Sequence, residues 1–125
     1  MNGWDLELKI RDTLADARAR RRAKRREHED PEYLAWLHEQ PCCCCGALPI
    51  EAHHQPRKSQ AGWHDRSTLP LCTAHHRGRH GIHALGVEGF ERLHRIDVVE
   101  RIRVLKQRYA NEKESPPHVR DRLQP

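Results

Sequence analysis

The sequence predicts a small α+β protein whose centre is braced by metal rather than by a large apolar core. Three observations lead there. Metal-ligand side chains crowd one stretch: Cys42–Gly46 reads C-C-C-C-G, Glu51–Pro56 reads E-A-H-H-Q-P, and Leu69–His80 reads L-P-L-C-T-A-H-H-R-G-R-H. Across 125 residues there are only three Trp, two Tyr and one Phe; with a mean hydropathy of −0.98, little apolar core is available. Apolar residues recur at helical spacing on both sides of that stretch, whereas its middle holds a short strand-like run.

Residues Asp5 to Glu29 read as a helix in which Leu6, Ile10, Leu14 and Ala17 recur at helical spacing, ready to pack on the core or on a partner. From Arg18 to Arg26 seven of nine residues are basic. Such a block suits a polyanion, or else forms salt bridges with Glu27, Glu29 and Asp30. Asp30 and Pro31 have the character of a cap and first residue of a second helix, with Tyr33, Leu34 and Leu37 as its buried face. Leu48 to His54 is expected to be a strand that Pro56 terminates. Thr73 is placed to cap a short helix running to His80, which Gly81 would stop. Val87 to His94 forms an amphipathic stretch; Val98, Ile102, Leu105 and Tyr109 mark a last helix with Asp97 as cap. The expected division is a basic helical extension over 1–29, the metal-bearing domain with its C-terminal helices over 30–110, and a tail over 111–125. That tail is Pro-rich and polar from Ser115 and expected to be disordered.

Four-coordinate zinc takes two ligand pairs, each presented by a tight turn, and a separation of two residues does this well. Cys42 and Cys45 have that separation, with Gly46 following where a turn can need positive φ. Cys72 and His75 supply the second pair, leaving Cys43 and Cys44 as spare thiols. Disulfides are disfavoured: the five cysteines are odd in number, adjacent ones bridge poorly, and no secretory segment is apparent. A second site uses the remaining histidines. On one helix His76 and His80 would share a face while His75 turns toward the zinc. His53 and His54, at the strand end, would supply a third ligand and a base. Phosphodiester hydrolysis needs this combination, a cation against phosphate charge and a neutral imidazole to deprotonate water. A second purely structural metal site is the competing interpretation. Adjacent strand residues point to opposite faces, so His53 and His54 can serve one phosphate only if the backbone turns irregular there.

These residues resemble the ββα-metal, or HNH, endonucleases, which carry strand, loop, strand and helix with histidines at the first strand's end and on the helix. Cys42 to Cys45 with Cys72 to His75 looks like their zinc-knuckle subgroup. The run D-P-E-Y-L-A-W-L-H-E-Q-P-C-C-C-C-G (Asp30 to Gly46), E-A-H-H (Glu51 to His54) and D-R-S-T-L-P-L-C-T-A-H-H-R-G-R-H (Asp65 to His80) is similar to phage and prophage proteins of the Ref recombination-nuclease type. The resemblance covers about Asp30 to His94. It implies His54 as general base, with His53, His76 and His80 as ligands of a catalytic ion. Ser67 stands where the family's middle Asn usually braces the loop carrying the base, and Asp65 is the expected partner orienting His54. It further implies DNA cleavage to a 5′-phosphate and a 3′-hydroxyl, in phage recombination or DNA processing, with a recombinase as a candidate partner.

Net charge is +5 and the sequence pI is near 9.2, which suits DNA. Lys plus Arg and Asp plus Glu balance at nine each over Met1–Pro41, but stand at seven against four over Cys42–Arg95. Arg57, Lys58, Arg66, Arg77 and Arg79 flank the proposed site as phosphate contacts, joined by Arg20, Arg21 and Arg25 of the basic block. The expected cofactors are a structural Zn²⁺ and a catalytic divalent ion: Mg²⁺, Mn²⁺, Ni²⁺ or Zn²⁺. Imidazole-rich coordination favours the transition metals in affinity. No stretch is apolar enough to cross a membrane and no signal-peptide profile opens the chain, so a cytoplasmic protein is expected. The alternative functions are a catalytically weak zinc-binding recombination accessory, and a host-interaction protein using the first helix.

Overall fold

The computed structural model describes the backbone of residues 3–114, with all side chains in that span except those of Trp4, Asp5 and Arg25. Residues 115–125, most of the expected tail, lie outside the described residues, as does the side chain of Arg25 that was assigned to DNA contact. The chain runs α1 (Gly3–His28), α2 (Pro31–His38), β1 (Glu51–His54), β2 (Thr68–Leu71), α3 (Thr73–Arg77), α4 (Ile82–His94) and α5 (Val98–Tyr109), closing on a π-helical turn at Ala110–Glu114. The architecture is α+β, mostly helical, with one two-stranded antiparallel sheet.

Local chemistry sets the helix ends. The Asp30 carboxylate accepts from the Tyr33 N–H at 3.1 Å, and Pro31 opens α2, where a missing N–H costs nothing. Asp97 caps α5 by accepting from the Glu100 N–H at 3.0 Å. The α3 cap differs from expectation: Cys72 is the cap residue, with no side-chain bond, and Thr73 is the first helical residue. The strand is shorter than its sequence signal, beginning at Glu51 rather than Leu48. At the far end residues 111–114 belong to the π-helical turn rather than to a tail.

The sheet is the hub. Every residue of β2 is buried. Around it Cys42, Ile50, Leu69, Leu71, Ile82, Phe90, Ile96, Val98 and Ile102 form one core, and Tyr33, Trp36, Leu37, Leu105 and Tyr109 form a second. Helix α5 spans both, its buried residues being the predicted Val98, Ile102, Leu105 and Tyr109. On α2 the buried face is Tyr33, Trp36 and Leu37. Leu34 is only half-buried, because the helix rolls its indole inward to meet the Tyr33 and Tyr109 rings at 5.4 and 5.3 Å between centroids.

Arg66, expected to meet phosphate, lies inside this second core's rim instead. Its guanidinium sits over the rings of Tyr33 and Tyr109 and donates to Asp30 at 2.7 Å and Glu114 at 2.6 Å. Two carboxylates and two aromatic faces outcompete a solvent-borne anion for it. Of the two roles open to the α1 stripe, packing on the core is not taken up, since Leu6, Ile10 and Leu14 are each about half exposed (54%, 51% and 49%) and do not join either core.

Asp30 both caps α2 and receives Arg66, whereas Asp97 only caps α5. Urea unfolding of Asp30→Ala is therefore expected to show a loss of about 2–3 kcal/mol, against about 1 kcal/mol for Asp97→Ala. Equal losses would mean that the Arg66 bond contributes nothing.

Candidate metal centres and the histidine pair beside them

Two loops bring the first ligand group together. Cys42 opens a turn in which the Gly46 N–H donates to the Cys42 carbonyl at 2.8 Å, with Gly46 at φ 75°. The Cys43 N–H donates to the Pro70 carbonyl at 3.0 Å, docking that turn on β2 next to Cys72. The ligand atoms of Cys42, Cys45, Cys72 and His75 consequently lie within 4.8 Å of one another. The Cys45 and Cys72 sulfurs are 3.7 Å apart; His75 Nδ1 is 3.7 Å from the Cys42 sulfur and 3.1 Å from that of Cys72. Metal–sulfur bonds of about 2.3 Å and metal–nitrogen bonds of about 2.05 Å would give tetrahedral edges of about 3.75 Å and 3.55 Å. The group therefore has the donor set and nearly the dimensions of a site that can hold a metal such as zinc.

Electrostatics separates the four clustered cysteines. Burial opposes ionisation of Cys42, but the backbone N–H groups of Cys72, Cys44 and Cys45 outweigh it and hold the thiol below its usual range. Burial pushes Cys43 up to about 11 and raises Cys44 as well. Cys43 is left out of the ligand group, as expected, and both it and Cys44 lean on the first core. Cys44 additionally lies near His75 and His94 in a smaller group.

The second group is His53, His76 and His83. His53 comes from β1 and is 3% exposed. Its ring centroid is 5.3 Å from that of His76 and 5.1 Å from that of His83. Burial depresses its basicity to about 4, so it is a neutral ligand at physiological pH. His76, on α3, meets the Glu51 carboxylate through Nδ1 at 2.7 Å. That contact places the ring proton on Nδ1 and leaves a lone pair on Nε2, which lies 2.9 Å from Nε2 of His83. Two nitrogens bound at about 2.05 Å at right angles would sit this far apart, whereas a tetrahedral pair would be about 3.3 Å apart. Three imidazoles, one backed by a carboxylate, suit a divalent transition ion. Arg77 reaches the same Glu51 oxygen at 3.2 Å.

His80, the expected third ligand, is not in this group. Helix α3 ends at Arg77, so His76 and His80 share no helical face. The exposed His80 offers its carbonyl to His94 Nε2 at 2.8 Å. The chain instead turns back on itself and delivers His83 from α4. Glycines permit the turn: a Cβ on Gly78 would meet the Ala74 carbonyl at 2.4 Å, and one on Gly81 the His76 carbonyl at 2.8 Å. The G-x-x-G spacing of Gly78 and Gly81, with a histidine two residues beyond, was the available signal for His83.

His54, the last paired residue of β1, faces elsewhere. Its Nε2 meets the Asp65 carboxylate at 2.8 Å, and its ring is 6.0 Å from Trp63. Asp65 is 3% exposed and fixed on several sides. Its other oxygen accepts from the Asp30 N–H at 2.8 Å, its N–H donates to the His28 carbonyl at 2.9 Å, and its carbonyl accepts from Thr68 Oγ1 at 2.8 Å. Ser67 acts through its backbone, its carbonyl accepting from the Gln55 N–H at 3.0 Å and its N–H donating to the His64 carbonyl at 2.9 Å. The residue after His54 is thereby pinned. Arg57, Lys58, Arg77 and Arg79 are exposed near the two groups, and Arg20 and Arg21 are exposed on α1. Lys58 lies over the Trp63 ring at 5.3 Å.

A family model described as "Protein of unknown function (DUF968)" matches residues 6–110. Among curated proteins the chain is similar to the uncharacterized protein YdfU of Escherichia coli (strain K12), 39% identical over 61 residues. That match covers 46% of this chain and 18% of YdfU, so the chain spans under a fifth of that relative's length. No solved structure matches. No described helix is long and apolar enough to cross a membrane.

Cys45→Ala and Cys72→Ala are expected to abolish co-purifying metal and lower thermal stability sharply, while Cys43→Ala keeps both. Metal analysis of the three proteins decides the ligand set. Acid has a defined effect on the metal-free protein. His53, His75 and His83 all have folded-state basicities held below the usual value by burial. As pH falls from about 6.5 toward 4 the unfolded chain takes up protons that the folded one refuses, so folding stability declines across that window. His53→Gln should flatten the decline, as measured by urea midpoints at several pH values.

Proposed function

The chain belongs to the DUF968 family of unknown function, and we propose that it is a metal-dependent endonuclease of the ββα-metal type, hydrolysing DNA phosphodiester bonds. The observation that carries this is the His54–Asp65 pair at 2.8 Å, next in sequence to a strand histidine that joins two helix histidines in a ligand group. A structural zinc at Cys42, Cys45, Cys72 and His75 would fix α3 against the cysteine turn and so hold the sheet-and-helix frame around it.

In this reading His54 is the general base. Donation of its Nε2–H to Asp65 leaves the lone pair on Nδ1, where a water proton can be accepted, and the buried Asp65 carboxylate stabilises the imidazolium that results. Asp65 itself stays in place because the His28 carbonyl at α1's end, the Asp30 N–H at α2's start and the Thr68 hydroxyl on β2 hold it. His53, His76 and His83 would hold a divalent ion, which supplies positive charge against the phosphate and the departing 3′-oxygen. Arg57 and Lys58, on the loop after His54, and Arg77 and Arg79, beside His76, are set to bind backbone phosphates. Ser67 replaces the brace expected of an Asn by main-chain bonds. The products would be a 5′-phosphate and a 3′-hydroxyl, the ends used in recombination and DNA processing.

One observation favours a second reading, a DNA-binding accessory protein with little cleavage. Pairing continues regularly through His54↔Thr68, so His53 and His54 leave the strand on opposite faces, and a cleaved phosphate must straddle the strand's end.

Nicking of supercoiled plasmid with Mg²⁺, Mn²⁺, Ni²⁺ or Zn²⁺ separates the two. Cleavage is expected with at least one ion, falling about 10²–10⁴-fold in His54→Ala while gel retardation and zinc content persist. Retardation without nicking under every ion would establish the accessory reading, and undiminished nicking by His54→Ala would overturn the base assignment.

A further inference from the structure

We propose that α1 is a dimerisation helix that pairs antiparallel with α1 of a second copy of this chain. The helix is 26 residues long, about 39 Å at 1.5 Å per residue. Among the described residues it is fastened at its C-terminal end: the His28 carbonyl accepts from the Asp65 N–H at 2.9 Å, and the His28 ring stacks on Trp63 at 4.7 Å. Leu6, Ile10 and Leu14 fall within one stripe at about 100° per residue and are half exposed. Most helical stability in proteins comes from packing such a stripe, and among the described residues it joins neither core.

Charge selects both the partner and its direction. Residues 3–17 carry four acids and two bases, and residues 18–28 carry seven bases and one acid. A parallel second copy would lay the basic block against itself. An antiparallel copy lays the acidic half along the basic half. The flanks of the stripe match in detail. Glu7 and Arg18 lie on one flank, and Lys9 and Asp16 on the other, each pair separated by close to whole turns. In an antiparallel two-fold pair each flank meets the same flank of the partner. A register that brings Glu7 opposite Arg18 also brings Lys9 opposite Asp16. Both pairs have opposite sign, and each occurs twice in the dimer. None of these four side chains forms an ion pair within its own chain among the described residues.

Sedimentation equilibrium of the full chain at micromolar concentration tests this, with charge reversals in α1. A dimer is expected for the wild type. Glu7→Lys and Arg18→Glu should each weaken it about tenfold or more by placing like charges together, and the double variant should restore it. Ile10→Asp should give monomer with unchanged metal content, which separates lost pairing from lost folding. A monomeric wild type would overturn the proposal, as would a double variant no tighter than either single one. If α1 serves DNA instead, the chain stays monomeric, and Arg18→Glu weakens gel retardation while Glu7→Lys strengthens it.

Discussion

Alternation along the four residues of β1 governs where the site's histidines can go. Pairing of His53 with Leu69 and His54 with Thr68 fixes the register. Because successive side chains leave a strand on opposite faces, one imidazole enters the group with His76 and His83 and the next turns to Asp65. Glu51, two residues before His53, reaches the far ring nitrogen of His76. A slip of one residue would exchange the two faces, putting Ala52 or His54 where His53 now sits and turning Glu51 away from His76. The complete burial of β2 makes such a slip costly, so the small apolar core chiefly serves to hold register.

A continuous bonded network connects this strand to the start of α2 and to the π-helical turn after α5. Asp65 takes the Asp30 N–H, Asp30 takes Arg66, and Arg66 reaches Glu114 across two tyrosine rings. Burial in the second core raises the Tyr33 phenol to about 12, so it stays neutral. Asp65, on the loop that follows His54, is thus held by residues of α1, α2 and β2, which gives the imidazole it meets a fixed orientation.

Much of this was written in local sequence. Asp30 and Asp97 as caps, the α5 face and the outer cysteines of the knuckle all follow from spacing within a few residues, where propensity and sterics act directly. What escaped depends on distance along the chain. His80 fits as the third ligand only on a helix unbroken through Gly78, whereas α3 ends at Arg77 and the chain delivers His83 from α4. The turn there rests on glycines whose missing Cβ atoms make room for carbonyls of α3. Arg66 reads as a phosphate contact because it flanks the proposed site in sequence; nothing nearby announces Tyr109 and Glu114. Leu34 and Trp36 exchanged places for a similar reason, since the ring that draws the indole inward lies on α5.

The order of ligands along the chain has its own consequence. Cys42 and Cys45 precede His53, and Cys72 and His75 precede His76 and His83, so the two groups interleave, with neighbouring residues of α3 divided between them. Joining His53 to His76 from an open chain closes a loop of about 20 residues, an entropic cost of about 2.7 kcal/mol from length alone. Once Cys45 and Cys72 are held together, the shortest path along the chain from His53 to His76 falls to about half that length, which lowers the cost of bringing the imidazoles together. The sulfur-rich group thus favours formation of the imidazole group through chain connectivity.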